Sequence, residues 1–311
     1  MTALVADARC QHHDTGHGHP ESPERFTAVM EGLKRAGLLE KLTRLEPRAV
    51  TGEDLALAHD TGYLRRAEHD ILSGASQLST GDTSVCEASW EAAQLAVGCA
   101  LAAVDAVIAG KVANAFCAVR PPGHHATADR GMGFCVLNNI AIAARHAQRR
   151  HGIERVLIVD WDVHHGNGTQ DIFYEDGSVF FFSTHQAPWY PGTGHARETG
   201  AGAGKGTTLN CPQPAGSGRA EIFTAFEEQL LPAMEKFRPE FVLISAGFDS
   251  RAGDPLGDFL LTDADFADLT KLVRGLADQY AKGRVVSLLE GGYNLSGLAS
   301  AASAHVAALL A

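Results

Sequence analysis

Short apolar runs recur along the chain, bounded by glycine, proline or charge, with longer mixed stretches between them. The runs at 2–6, 114–120, 155–161, 179–184, 207–211, 241–246 and 284–289 are nearly continuous rather than alternating. That is the pattern of strands buried on both faces. A weaker run lies at 43–46. The stretches 23–37, 87–109, 138–150, 219–236, 263–280 and 295–309 read as helices. Strand and helix alternate, which predicts an α/β fold with a parallel sheet flanked by helices on both faces. No linker, repeat or composition shift divides the chain, so residues 1–311 read as one domain.

In such a sheet, ligands bind beyond the carboxyl ends of the strands, and the polar, glycine-rich segments fall there. Val156–Val159 runs into Asp160-Trp161-Asp162-Val163-His164-His165-Gly166-Asn167-Gly168. Side chains at i and i+2 of an extended chain share a face, so Asp162 and His164 can reach one point, and their oxygen and nitrogen suit zinc. A turn rich in polar residues is the plain alternative. Asp249, after the run 241–246, is either a third ligand or a turn carboxylate. Two carboxylates and one imidazole leave an open position for a water and a carbonyl.

His124-His125 follows Pro121-Pro122-Gly123 at another strand end, and a turn can converge two neighbouring imidazoles for proton transfer. Each needs a partner to fix its tautomer. Asp160 for His124 and Asn167 for His125 are the expected pairs. A carboxylate favours the charged ring and an amide does not, which leaves His125 as the base. Tyr293, after Gly291-Gly292, can donate to an oxyanion, or else simply packs at a helix start.

At 45% hydrophobic and 20% charged, the composition is that of a globular protein with a substantial core. The net charge of −11, with no basic stretch, disfavours nucleic acid as a partner. Cationic or neutral small substrates and protein tails stay open. The six cysteines form no C-x-x-C pair and read as reduced, buried thiols. The start shows no signal-peptide pattern, and no uninterrupted apolar run of about 18 residues suggests a membrane span. A cytoplasmic enzyme is the expectation.

Taken together, the motifs resemble the histone deacetylase family, within the arginase/deacetylase fold. The pieces are His19-Pro-Glu21 with Pro23-Glu-Arg25, Arg120-Pro-Pro-Gly-His-His-Ala126, Gly133-Phe-Cys135 with Asn138, Asp160 through Gln170, Ser245-Ala-Gly-Phe-Asp249, Gly253-Asp-Pro-Leu-Gly257 and Glu290-Gly-Gly-Tyr-Asn294. They span nearly the whole chain, and their wording is closest to the class II branch and its bacterial relatives.

The resemblance implies an eight-stranded parallel sheet and one catalytic zinc held by Asp162, His164 and Asp249. It implies His124 and His125 as proton-transfer groups and Tyr293 as the transition-state donor. It implies a potassium ion near the backbone oxygens of Asp160, Asp162 and His164, with Ser183 and Thr184. A second would lie around Phe173, Asp176 and Val179. Gly133, Phe134 and Tyr190 would line a tunnel for an acyl-lysine chain. The implied substrate is an acylated lysine in a peptide or protein, or a small acyl-amine such as an acetylpolyamine; a homo-oligomer is open.

Leu256 stands at a rim position where polyamine-selective relatives carry a glutamate, which argues against that form of selectivity. Asp82 is a candidate rim carboxylate, although a turn or helix cap is the simpler reading. His12, His13, His17 and His19 read as part of a flexible N-terminal loop, solvated or at the rim. An arginase-like pair of manganese ions needs a carboxylate just beyond His164, where His165-Gly166 stands instead. A silent acyl-lysine reader is the other rival, and the complete set of ligands, histidines and tyrosine speaks against it.

Overall fold

The computed structural model describes residues 1–311. Eight strands form one sheet: β1 (Thr2–Val5), β2 (Thr43–Leu45), β3 (Asn114–Cys117), β4 (Val156–Asp160), β5 (Val179–Gln186), β6 (Thr208–Gln213), β7 (Phe241–Ala246) and β8 (Val285–Leu289). Their order is β2-β1-β3-β8-β7-β4-β5-β6, and every pairing is parallel. The central strands are buried along their whole length, as their β-branched and aromatic residues demand.

The helices are α1 (Glu24–Arg35), α2 (Gly52–Leu55), α3 (Thr61–Leu72), α4 (Ser89–Ile108), α5 (Asn139–His151), α6 (Asn167–Phe173), α7 (Arg219–Thr224), α8 (Leu231–Phe237), α9 (Asp263–Tyr280) and α10 (Leu295–Leu310). Local chemistry sets several of their ends. The Asn138 and Asn294 side chains accept from Ala141 and Gly297 N–H, and Thr262 and Asp265 form a capping box. Gly152 closes α5 in the left-handed conformation at φ 67°.

Three differences from the sequence reading have physical causes. The stretch 219–236 is not one α-helix, because a π-helical turn at Ala225–Leu230 joins α7 to α8. α3 lies outside the helices the sequence predicts, although Tyr63, Leu64, Ala67 and Ile71 form its buried stripe. The α6 segment opens on Asn-Gly and reads as a turn; it is helical where Thr169 N–H meets the His124 carbonyl. α4 is long and apolar enough to cross a membrane by length and composition, despite Glu91 and Asp105. It is nonetheless a core helix, 67% buried. The cysteines are all free, and Cys86 alone is not buried.

α1 and α10 approach so closely that a Cβ on Gly32 would sit 2.6 Å from the Ala299 carbonyl oxygen. Alanine gains about 1 kcal/mol over glycine in an open helix, but overpacking costs about 1–3 kcal/mol. Gly32→Ala is therefore expected to lower the denaturation midpoint; an unchanged or raised midpoint counts against this packing.

Candidate active site

The loops after β3, β4, β7 and β8 carry the polar groups singled out in the sequence, and these four strands are neighbours in the sheet. Asp162 and His164 follow β4, and Asp249 follows β7. One ligand atom from each lies within 4.8 Å of the others. His164 Nδ1 is 3.0 Å from Asp162 Oδ1 and 3.3 Å from Asp249 Oδ2.

Both carboxylates are buried. Asp162 Oδ2 accepts from Gly291 N–H at 2.8 Å, and Asp249 Oδ1 accepts from Val163 N–H at 2.9 Å. Asp249 Oδ2 is buried with no hydrogen-bond partner. Burial opposes a charge on His164, yet its hydrogen bond to Asp162 and the nearby Asp249 carboxylate outweigh that and lift the ring to about 10. Burial, then the charge of Asp162, pushes Asp249 up to about 7. Two buried carboxylates, one of them with an orphaned oxygen, and an imidazole converging on one point form a cradle that fits a divalent cation. The chain can pass so close only because residue 291 is glycine: a Cβ there would meet Asp249 Oδ2 at 2.0 Å.

The two imidazoles of the β3 loop lie beside this cradle, their ring centroids 4.0 Å apart. His124 Nδ1 is 2.9 Å from Asp160 Oδ2, and His125 Nδ1 is 2.8 Å from Asn167 Oδ1. Burial disfavours a charge on His124, but Asp160 and Asp162 overrule it and raise the ring to about 10. Burial also lowers His125, and the neighbouring charge of His124 adds to that, so His125 sits well below the ordinary imidazole range. An amide oxygen only accepts, so Nδ1 of His125 carries the proton and Nε2 keeps a free lone pair.

Above the imidazoles is a cavity of about 260 Å³. Phe134, Tyr190, Leu256 and Tyr293 line it together with His125 and His164. Tyr190 packs edge-on to His125 at 5.2 Å, and Phe134 edge-on to Tyr293 at 5.9 Å. Gly133 takes φ 57°, and a Cβ there would meet the His125 ring at 2.4 Å. Trp189 Nε1 donates to the Leu256 carbonyl at 2.8 Å and so ties two rim loops together.

Asp82 is open in the sequence between a rim carboxylate and a turn or cap residue, and the structure puts it in the cavity lining. It stands at the cavity mouth, where Oδ1 accepts from Gly133 N–H at 2.7 Å and Oδ2 from the Tyr190 hydroxyl at 3.0 Å. Of the N-terminal histidines, His12 and His17 are exposed, as a solvated role requires, and His13 alone departs from that expectation. His13 is fully buried, with Nδ1 2.7 Å from Ser89 Oγ. His19 packs on Phe134 at 4.7 Å, near the rim.

His165 turns away from the cradle. Its nitrogens are engaged by Thr193 Oγ1 and Gln170 Oε1, so it offers nothing to a second ion beside Asp162. Ser183 is buried beside Asp160 in the β4–β5 register, and its hydroxyl lies 2.9 Å from His185 Nδ1. Thr184 is buried next to it. Phe173, Asp176 and Val179 gather where α6 turns into β5. There the Asp176 carboxylate is taken by Arg145 and Ser178.

A profile described as the histone deacetylase domain matches residues 19–309. The chain belongs to the histone deacetylase family. It is 42% identical to the histone deacetylase-like amidohydrolase of Pseudomonas aeruginosa, over 89% of this chain and 73% of that one. It is 42% identical to the human polyamine deacetylase HDAC10, over 93% of this chain but 44% of that one. The crystal structure of the HDA15 HD domain matches with a TM-score of 0.94 at 38% identity, covering 99% of this chain and 89% of that one. Membership in the histone deacetylase family makes the chain an amide hydrolase of the deacetylase type.

Four positions of the family motifs had no role assigned from sequence. Glu21 is fully buried between Arg120 and Arg25, at 2.6 and 2.9 Å. Arg25 donates onward to the Gly292 carbonyl at 2.7 Å, and its guanidinium lies 4.9 Å from the Tyr293 ring centroid. Asp254 Oδ2 accepts from the N–H groups of Tyr293 and Asn294 at 2.7 and 3.0 Å. The Tyr293 loop is thus gripped on both sides. Their sequence signal was charge inside short motifs punctuated by proline or glycine. Glu21→Gln leaves two buried guanidiniums short of their counter-ion, so a loss of about 3–5 kcal/mol is expected in chemical denaturation; a loss under about 1 kcal/mol would mean the cluster does not brace the loop.

Proposed function

We propose that the chain is a zinc-dependent amidohydrolase that removes acetyl or other short acyl groups from lysine side chains or similar amines. The observation that carries this reading is the unequal partnering of the two imidazoles beside a three-ligand cradle at the base of an aromatic-walled cavity. Asp162, His164 and Asp249 would hold the ion. When bound, zinc supplies a Lewis acid that activates a water and the acyl carbonyl. We read the Asp160–Ser183–Thr184 and Phe173–Asp176–Val179 regions as potassium sites on the family pattern.

The side chains divide the work by their surroundings. His125, kept neutral by burial and by an amide partner, removes the proton of the attacking water through Nε2. The Tyr293 phenol is held protonated, because burial pushes it well above its usual range. It donates to the oxyanion of the tetrahedral adduct. A histidine of the pair then gives a proton to the departing amine. His124, with its charge held by Asp160, adds positive potential beside that oxyanion.

The cavity supports a slender substrate. Phe134 and Tyr190 give flat apolar walls for a methylene chain, and Asp82 offers a carboxylate at the mouth for a substrate N–H. Leu256 puts no charge at the rim. That favours acyl-lysine over an acetylpolyamine whose distal ammonium must be read there, even though a relative of equal identity is named a polyamine deacetylase. A kinetic panel of acyl-lysine peptides of graded chain length beside acetylated polyamines tests this: a higher kcat/KM on the polyamines would reverse the preference.

Three variants test the machinery. Asp249→Ala is expected to lose the catalytic zinc, measured by metal analysis after dialysis, and full occupancy would sink the ligand assignment. Tyr293→Phe should retain the metal but lower kcat by about 10²–10³-fold, the scale for one oxyanion donor. Asn167→Asp places a carboxylate on His125 Nδ1 and favours its charged form. The acidic limb of the kcat/KM profile should therefore move to higher pH, since the base is active only when neutral; an unmoved limb would remove His125 from that role.

A further inference from the structure

A second set of metal-ligating side chains lies away from the catalytic cavity, where α4 packs on α5. Asp105 of α4 faces His146 and His151 of α5, and their ligand atoms lie within 4.8 Å of one another. Both Nε2 atoms point to the same oxygen: His146 is 2.6 Å and His151 2.7 Å from Asp105 Oδ1. The rings meet edge-on, 5.3 Å between centroids. Asp105 Oδ2 turns to Arg48, at 3.7 Å.

Arg48 is held chiefly by Asp54, at 2.7 Å, so Asp105 Oδ1 is left to the two ring nitrogens. A divalent ion can take the place of the two Nε2 protons, with the anionic oxygen as its third ligand. Two imidazoles and a carboxylate are a donor set suited to zinc-like cations. Around a tetrahedral zinc with ligands at about 2.0–2.1 Å, donor atoms stand roughly 3.3 Å apart. The two contacts to Asp105 would lengthen by about 0.6–0.7 Å to reach that spacing, and the two ring nitrogens lie within 4.8 Å of each other. Entry is open, since the Asp105 side chain is 40% and that of His151 25% exposed, while His146 anchors the site from inside at 1%.

We propose that Asp105, His146 and His151 form a second, zinc-binding site, separate from the catalytic cradle. It fastens α4 to the C-terminal end of α5. The N-terminal end of α5 supports the imidazole loop, through Asn138 on the Ala126 carbonyl and Asn139 on the Pro121 carbonyl. Two zinc ions per chain would therefore mark two mononuclear sites, not a binuclear centre.

The test is metal content of the untagged full chain, loaded with zinc and freed of excess by gel filtration. The wild type should hold two zinc ions, and His151→Ala and Asp105→Asn one each with deacylase turnover kept. Both substituted side chains are partly exposed, so folding is not at risk as it is for His146. Asp249→Ala should also hold one, and Asp249→Ala with His151→Ala none. Failure of the catalytic assignment would appear in the Asp249 variant alone. One zinc in the wild type, or two in both single variants at α4–α5, overturns the proposal.

Discussion

Everything at the carboxyl edge of this sheet is arranged around buried negative charge. Asp160, Asp162, Asp249 and Glu290 are all fully buried there, and an ion taken out of water costs several kcal/mol unless it is met by opposite charge or hydrogen bonds. Each has its own answer. His124 meets Asp160, while Glu290 takes the N–H groups of Gly123 and His124 and the Ser245 hydroxyl. Asp162 and Asp249 share His164 and leave one oxygen unmatched. That remaining deficit is what a divalent cation answers.

The same bookkeeping of charge explains the architecture of the loops. Glycines stand where backbone must touch a carboxylate, as at Gly291, because any Cβ would occupy the oxygen's place. Arg25 and Arg120 are buried only because Glu21 neutralises them, and Arg25 in turn holds the Gly292 carbonyl and the Tyr293 ring. Stability and reactivity are therefore coupled. The groups that keep a buried charge tolerable also aim the phenol and set the two imidazoles apart in protonation.

Much of this was legible along the chain. The apolar runs named the strands with ends off by at most three residues, because a strand buried on both faces leaves a continuous signature. Asp162 with His164 followed from period-two geometry, and Asp160 and Asn167 from the different electrostatics of a carboxylate and an amide. Other parts were not legible. Asp82 stayed open between a rim carboxylate and a turn residue, since its partners, Gly133 and the Tyr190 hydroxyl, are 51 and 108 residues away. His13 looked solvated because nothing near it in sequence announces Ser89 or Glu21. The π turn within 219–237 leaves no mark in a hydrophobic pattern that suits an unbroken helix equally well.

The sequence by itself determined the class of fold, the groups available for chemistry and their place at strand ends, because these depend on local periodicity and residue type. Tertiary structure alone decided which strand ends are neighbours. β3, β8, β7 and β4 lie side by side although they are far apart in order along the chain. Only that ordering brings Tyr293, Asp249, Asp162 and the histidine pair within reach of one point. It also decided which charges are buried and what each imidazole meets: Asp160 and Asp162 hold His124 charged against burial, while burial and the neighbouring charge of His124 keep His125 neutral.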